Sequence, residues 1–310
     1  MTGTHHPGYQ RRDFEVVDYQ EYLHEPSGLY FRGPARATEE HQERISFLGA
    51  AQTFGCFTDD PFPSLVGDAL DATVLNLGYG GAGPRLYLEH PTLIDEINKG
   101  AAAVVQVMSG RSEDNRLYAS GGLEYLRRRS DNSRVGAGAA YAALVGGYDP
   151  VTGRPENRQV RRITSRLGRP RLRSVVAETQ HNWLASYHRL FEMITVPTVL
   201  LWFATRKPED HVVGYRSGSE VLGEFPQLVT AEMVNEVRRS ADRYVAVVTD
   251  QGLPQPLVSR FDGTPTTVDP SNDRPDLGGE IWTHNRYYPS PEMHRRAADA
   301  ITPILAELLR

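Results

Sequence analysis

Residues Phe47-Leu48-Gly49-Ala50-Ala51-Gln52-Thr53-Phe54-Gly55 decide how the rest of the chain is read. An apolar strand over 45–48 runs into a turn of small residues bracketed by Gly49 and Gly55, the form taken by a strand-to-helix turn. The alternation continues downstream. Residues 62–70 read as helix, 73–77 as strand and 86–98 as helix, and 102–108 form a continuous apolar run ending at Gly110, the pattern of a strand buried on both faces. After a looser stretch, a long amphipathic helix is expected over 175–194, a buried strand over 198–203, a helix over 231–239, a strand over 244–248 and a closing helix over 291–309. Strand and helix in strict succession predict the α/β class, a three-layer α/β/α arrangement around a doubly wound parallel sheet.

Residues 1–43 are polar and aromatic and read as an N-terminal arm lying on a single domain of 44–310. Within that domain, 116–174 loosens into Gly, Arg, Ser and Asn with an Ala-rich piece at 135–145, which is expected to be an insertion or lid. The Pro-, Asp- and Gly-rich stretch 262–279 reads as a surface loop. Hydrophobic residues at 39% and aromatics at 9% are enough for one large core, and no apolar run reaches the ~20 residues of a membrane span. No apolar leader opens the chain, so a cytoplasmic location is expected, and Cys56, the single cysteine, is read as a reduced, structurally quiet thiol.

The net charge of −5 is unevenly distributed. Between Arg111 and Arg173 there are fourteen Arg against six acids, a local balance of +8, which leaves −13 for the remainder. Such asymmetry points to a small anionic ligand near this segment, whereas an acidic body repels a long polyanion, so no nucleic-acid partner is expected. No membrane partner is expected either.

Ligands of an open parallel sheet sit at the carboxyl ends of its strands, so the turns after the strands hold the candidate residues. In the first, Gly49 to Gly55, backbone amides together with Gln52 and Thr53 are expected to cradle a ligand. In the second, Asn76-Leu77-Gly78-Tyr79-Gly80-Gly81-Ala82-Gly83-Pro84, Asn76 and Gly78 are the candidates. The third, Met108 to Arg116, brings Arg111 to grip an anionic group, with Ser112 and Asn115 as further donors. The fourth places Lys207 at the end of another buried strand.

The order Gly49-x-x-x-Thr53-x-Gly55, then Asn76-x-Gly78-x-x-Gly81, then a polar turn after a third strand, then a Pro-Ser stretch opening the last helix resembles the SGNH (GDSL-like) hydrolase superfamily over about 44–309, the insertion excluded. Phe31-Arg32-Gly33-Pro34, Thr53-Phe54-Gly55, Pro61-Phe62-Pro63 and Val199-Leu200-Leu201-Trp202 are also similar to an uncharacterised bacterial family built on a domain of unknown function, which implies no substrate. The SGNH resemblance implies a serine nucleophile in the first turn and a D-x-x-H-P element before the last helix. Here Ala51 stands in the serine position, Asn285 in that of the aspartate and Tyr288 in that of the histidine, so the implied triad is lost at all three positions.

The first expectation is therefore a group transferase. Its concrete form is sulfuryl or phosphoryl transfer from a nucleotide-type donor such as 3′-phosphoadenosine 5′-phosphosulfate to a hydroxyl of a small polar or glycan-like acceptor. Arg111, Thr53 and His284 are its catalytic residues, and Gly49, Gln52, Gly55, Asn76, Gly78, Ser112, Asn115 and Lys207 hold the donor. His284 is preferred over His181, His188 and His294 because Trp282, Asn285, Tyr287 and Tyr288 surround it in sequence. A noncatalytic binder of a glycan or another small polar molecule is the second reading. The third is an esterase or acyltransferase with its nucleophile moved to Ser109 or Ser112. No metal is expected, since no H-E-x-x-H or Cys/His cluster occurs.

Overall fold

A computed structural model describes residues 8–34, 43–145, 158–215, 217–270 and 280–310, of which 158–169 as backbone only. In chain order, the first part comprises α1 (Tyr9–Asp13), β1 (Tyr22–His24), β2 (Leu29–Phe31), β3 (Arg44–Gly49), α2 (Ala51–Phe54), α3 (Phe62–Leu70), β4 (Thr73–Gly78), α4 (Pro84–Glu89), α5 (Pro91–Asn98) and β5 (Ala102–Gln106). An excursion follows through β6 (Tyr118–Ala119), β7 (Tyr125–Arg128), β8 (Arg134–Gly136) and α6 (Ala137–Val145). The chain then returns along α7 (Arg158–Met193) to β9 (Thr198–Ala204), α8 (Gly218–Leu222), α9 (Ala231–Val237), β10 (Arg243–Val248), β11 (Gln255–Pro256), β12 (His284–Asn285) and α10 (Pro291–Leu308).

The central sheet has the order β10-β9-β5-β3-β4, and every pairing in it is parallel. Numbered along the chain this is 2-1-3-4-5, the flavodoxin-like order of a doubly wound sheet. Successive side chains point to opposite sides, and β3, β5 and β9 are buried on both faces, while the edge strand β10 leaves one face partly exposed. Ile45, Phe47, Val104, Val199, Leu201 and Phe203 pack with Phe62 and Val66 of α3 and Met293, Ala297 and Ile301 of α10. Leu48, Val105, Leu200 and Trp202 pack on the other side with residues of α4, α5, α7 and α9. Each such side chain stabilises the fold by about 1.5–3 kcal/mol relative to exposure, and the two clusters make the three layers.

Two differences from the sequence-based elements have local causes. The helix expected over 86–98 is two helices that meet at His90, because Pro91 has no N–H to continue the ladder and starts α5 instead. The helix expected from 175 begins at Arg158, running through Gly168 and Pro170, which read as breakers. The last part of the expected 116–174 insertion is thus the start of a helix that goes on to cover the sheet. What precedes it has its own small core: Tyr118, Leu126, Ala137, Ala140 and Tyr141 pack with Leu172, Val175 and Val176 of α7 and Val221 and Leu222 of α8. Residues 146–157 of the expected insertion, and 271–279 of the expected surface loop, lie outside the described residues.

The described part of the N-terminal arm is buried against the first turn. Tyr9, Val16, Val17 and Tyr19 form one cluster with Ala51, Phe54, Cys56, Phe57 and Tyr288. Arg32, 6% exposed, donates to the carbonyls of Phe54, Gly55, Thr58 and Asp59, so one guanidinium satisfies carbonyls around the end of α2 that have no helical partner.

Candidate functional site

The doubling back of the winding places β3 between β4 and β5, so the switch point lies at the carboxyl ends of β3 and β5. There β3 turns directly into α2, with Ala50 at the N-cap and Ala51 as the first helical residue. Gln106, the last residue of β5 and fully buried, fixes this turn: its Oε1 accepts the Ala50 N–H (3.0 Å) and the Thr53 hydroxyl (2.7 Å). Gly49 is anchored through the Tyr87 hydroxyl, which accepts its N–H (2.8 Å). Asn76 donates to the Thr53 carbonyl (3.0 Å) and accepts from Gly78 N–H (2.9 Å), tying α2 to the end of β4. A Cβ on Gly78 would run into the backbone of Thr53 and Phe54, so only glycine permits this approach. Gly55 closes α2 at φ +84°, where a side chain is strained.

The turn after β5 is held by α7. The Tyr187 hydroxyl accepts from Met108 N–H (2.7 Å) and donates to the Gln106 carbonyl (2.7 Å), while Trp183 Nε1 donates to the Met108 carbonyl (3.0 Å). Ser109 donates to Gln227 Oε1 (2.5 Å) and Ser112 to the Gly81 carbonyl (2.8 Å). Arg111 forms an ion pair with Glu124, and its Nε is buried without a partner. Farther on, Glu113 is fully buried between Arg85 and the Ser186 hydroxyl. Asn115 accepts from the N–H groups of Leu117 and Tyr118 and donates to Thr179, so it builds the entry to the excursion.

The C-terminal turn is organised by Asn285. Its Oδ1 accepts from Tyr287 N–H (3.1 Å) and Tyr288 N–H (2.9 Å), which leaves its Nδ2 to donate to Gln255 Oε1 (2.9 Å) and the Tyr288 carbonyl (2.9 Å). An ionised aspartate would turn an oxygen toward those two acceptors. Asn285→Asp is therefore expected to cost about 1–3 kcal/mol, read as a lower midpoint in chemical denaturation; an unchanged midpoint would refute this role for the amide. The turn lays Tyr288, 8% exposed, under Arg12 and beside Tyr9, whose ring centroid is 6.0 Å away. Burial raises the pKa of both phenols, so they are neutral at physiological pH.

These turns enclose a cavity of about 40 Å³ whose lining includes Ala51, Gln52, Ser109, Arg111, Ser112 and Tyr288, with Tyr9, Glu124, Phe225 and Tyr287 also in the wall. Gln52 is 3% exposed, and its Oε1 has no hydrogen-bond partner. A larger cavity of about 200 Å³ lies elsewhere, along the edge strand β4 between Arg44, Glu96 and the β1–β2 hairpin. It borders residues 33–34 and 44, on either side of 35–42, which lie outside the described residues.

Of the residues expected to catalyse transfer or hold the donor, Gln52, Arg111 and Ser112 thus come together at the cavity wall, with Ser109 of the relocated-nucleophile reading and Ala51 and Tyr288 of the lost triad beside them. The others do not. Thr53 is fully buried with its hydroxyl on Gln106, so it supports the turn and does not face a ligand. Gly49, Gly55, Asn76 and Gly78 shape the same turn from behind, and Asn115 lies in the base of the excursion. Lys207 is exposed outside the cavity lining, its N–H bonded to Asp210. His284 also stands outside it, on β12 with Nδ1 at 3.0 Å from the Thr283 hydroxyl.

Of the arginines of 111–173 whose side chains are described, Arg111 is the one that lines the cavity. Arg116 pairs with Glu178, Arg128 with Asp131 and Arg129 with Asp114, while Arg134 and Arg173 lie over the rings of Tyr125 and Tyr215. Those between 146 and 169 lie outside the described side chains. Arg206, which stands beside Lys207 in the fourth turn, has a structural role. Buried, with its pKa lowered by desolvation to about 10, it donates to the carbonyls of Pro226 (2.6 Å) and Val229 (3.0 Å) and so fixes the loop bearing Phe225 and Gln227. Nothing in the sequence pattern marked Tyr9 or Glu124, which arrive from the arm and the excursion. Among the described residues no group of three or more His, Cys, Asp or Glu side chains could hold a metal ion, and no helix is long and apolar enough to cross a membrane.

Solved structures with some likeness to the chain include three hydrolases. A carbohydrate esterase family 2 enzyme with a carbohydrate-binding domain, from Corynascus thermopiles (Myceliophthora fergusii), has 10% identity and a TM-score of 0.40 over 90% of this chain and 69% of its own. A lipase/acylhydrolase from Enterococcus faecalis has 11% identity and a TM-score of 0.38, over 86% of this chain and 96% of its own. An extracellular lipase from Streptomyces rimosus has 11% identity and a TM-score of 0.38, over 86% and 99%. At these values the likeness says nothing about activity. No curated protein matches the sequence. The model of one family, however, matches residues 8–124 and 157–309, taking in the buried arm and both sides of the excursion, and the chain therefore belongs to the family described as Domain of unknown function (DUF6473).

Proposed function

We propose that the chain binds a small polar, glycan-like ligand in the switch-point cavity and does not turn it over. The observation that carries this reading is the cavity wall itself: Ala51 stands where the strand-to-helix turn would present a nucleophile, and no imidazole is among the described residues that line the site. Serine-type acyl transfer needs a hydroxyl activated by an oriented base. Ser109 and Ser112 are both buried, with hydroxyls donating to Gln227 and to the Gly81 carbonyl, so a relocated nucleophile finds no base there. Transfer from an anionic nucleotide donor has less support than the sequence suggested. Arg111 already has Glu124 as counter-charge, and Lys207 and His284 lie outside the lining.

The reading is tested with p-nitrophenyl acetate and the Ala51→Ser variant. Neither the wild type nor Ala51→Ser is expected to release a stoichiometric burst of nitrophenol, since among the described residues Ala51 shares the cavity with Tyr288, a neutral phenol, and with no imidazole. A burst in the wild type would overturn the proposal. The added hydroxyl is expected to lower stability by about 1 kcal/mol, because Ala51 is 5% exposed among aromatic side chains.

A further inference from the structure

Two residues of the cavity wall each carry a polar atom that the protein leaves without a partner. Gln52 Oε1, on a side chain 3% exposed, and the Nε of Arg111 are both buried and make no hydrogen bond. Buried polar groups are almost always paired, and each one left unpaired costs about 1–3 kcal/mol. The rest of the wall is well satisfied: Ser109 and Ser112 donate to Gln227 and Gly81, and the Tyr287 hydroxyl accepts from Gln227 Nε2 at 3.3 Å. The unpaired acceptor and donor come from the turns after β3 and β5, which flank the switch point.

Resting on the binding role proposed above, we infer that Gln52 and Arg111 recognise adjacent hydroxyl groups of an uncharged polyol, the exposed end of a sugar. One hydroxyl donates to Gln52 Oε1 and its neighbour accepts from Arg111 Nε–H. The charge of the site selects against ions, because Glu124 matches the Arg111 guanidinium and leaves no net charge for an anion to neutralise. The cavity of about 40 Å³ holds only a few heavy atoms, so it takes the end of a molecule and leaves the remainder at the mouth. Tyr287, 47% exposed beside Tyr288, stands there with a ring on which the C–H face of a pyranose can lie.

The test is saturation-transfer NMR and calorimetry on the full chain with methyl glucoside, methyl galactoside and methyl mannoside, against acetate, inorganic sulfate and acetamide. At least one glycoside is expected to bind, more tightly than any of the other three probes. Gln52→Leu and Arg111→Lys should each weaken it about tenfold, the lysine keeping the charge opposite Glu124 while removing the Nε–H donor. Should Gln52→Leu fail to fold, Gln52→Met, a straight chain of similar length without the amide oxygen, tests the same contact and carries the same expectation. Failure of every glycoside to bind, tighter binding of acetate, sulfate or acetamide, or glycoside binding unchanged in the variants would overturn the inference. Hydrolysis of an acetylated methyl glycoside by the wild type would instead overturn the noncatalytic reading, an outcome scored separately by ester release.

Discussion

Replacing Arg12 with methionine is expected to cost about 3–5 kcal/mol and to lower the melting midpoint by on the order of 10 °C. Arg12 is 7% exposed and holds the fully buried Asp13 through two contacts, Nε to Oδ1 at 2.5 Å and Nη2 to Oδ2 at 2.7 Å. Its guanidinium also lies 4.7 Å from the centroid of Tyr9 and 5.4–5.5 Å from those of Phe57, Trp282 and Tyr288. Methionine refills most of the space among the four rings but leaves a carboxylate in an apolar surrounding, with the Tyr19 hydroxyl (2.7 Å) as its remaining side-chain partner among the described residues. Burial already acts to raise the Asp13 pKa, and without Arg12 the carboxyl would take up a proton in the folded state. The greater part of the loss is thus the unpaired acid. Arg12→Met combined with Asp13→Leu should recover stability relative to Arg12→Met alone, as replacement of a whole buried pair often does. Thermal and urea denaturation of the two variants decides the matter; a double variant no more stable than the single would place the loss in the ring contacts. Because Tyr9 and Tyr288 also line the cavity, the single variant should bind its ligand more weakly as well.

The strands of the central sheet were legible because a strand buried on both faces must be apolar throughout, and 102–106 and 198–204 are nearly so. Gln106 interrupts that run at its end, and it is the residue on which the first turn rests; a single polar letter closing an apolar strand was the available signal. The arm was legible only as an arm. Its elements are three to five residues long, too short for any period, and what orders them is contact with α2 and the C-terminal turn. Of the arginines of 111–173 whose side chains are described only Arg111 reaches the cavity, and the charge count could not show that for a different reason. A sequence gives the number of arginines but not their partners, and pairs such as Arg111 with Glu124 or Arg116 with Glu178 are made only when β7 and α7 come alongside the third turn. The substitution of Asn285 and Tyr288 read from the sequence as loss of a triad. In the folded chain both have definite work, Asn285 as the hub of a turn and Tyr288 as part of the ring cluster around Arg12.

Acidification is expected to weaken the fold through His294 by about 2 kcal/mol at about pH 5 relative to about pH 7, and by more below that. This imidazole is fully buried on α10, its ring stacked on Phe62 (centroids 6.0 Å apart, 17° between planes) and edge-on to Phe203 at 5.7 Å. Nδ1 accepts the N–H of Phe62 at 3.1 Å, which requires the lone pair of the neutral ring, while Nε2 has no partner. Burial, with a smaller contribution from Arg32, lowers the pKa to about 3. An unfolded histidine titrates near 6.5, so between about pH 3 and about pH 6.5 the unfolded chain binds the extra proton and the folded chain does not. Stability from this group is therefore complete above about pH 6.5 and falls by ~1.4 kcal/mol for each unit of acidification down to about pH 3. Other groups add slopes of their own, so the comparison is with His294→Asn, whose amide oxygen can accept from Phe62 and does not titrate. Urea denaturation of both proteins should give a steeper acid slope for the wild type whatever offset the substitution itself introduces; parallel slopes would show that His294 is protonated in the fold, against its burial among Phe62, Phe203 and Arg32.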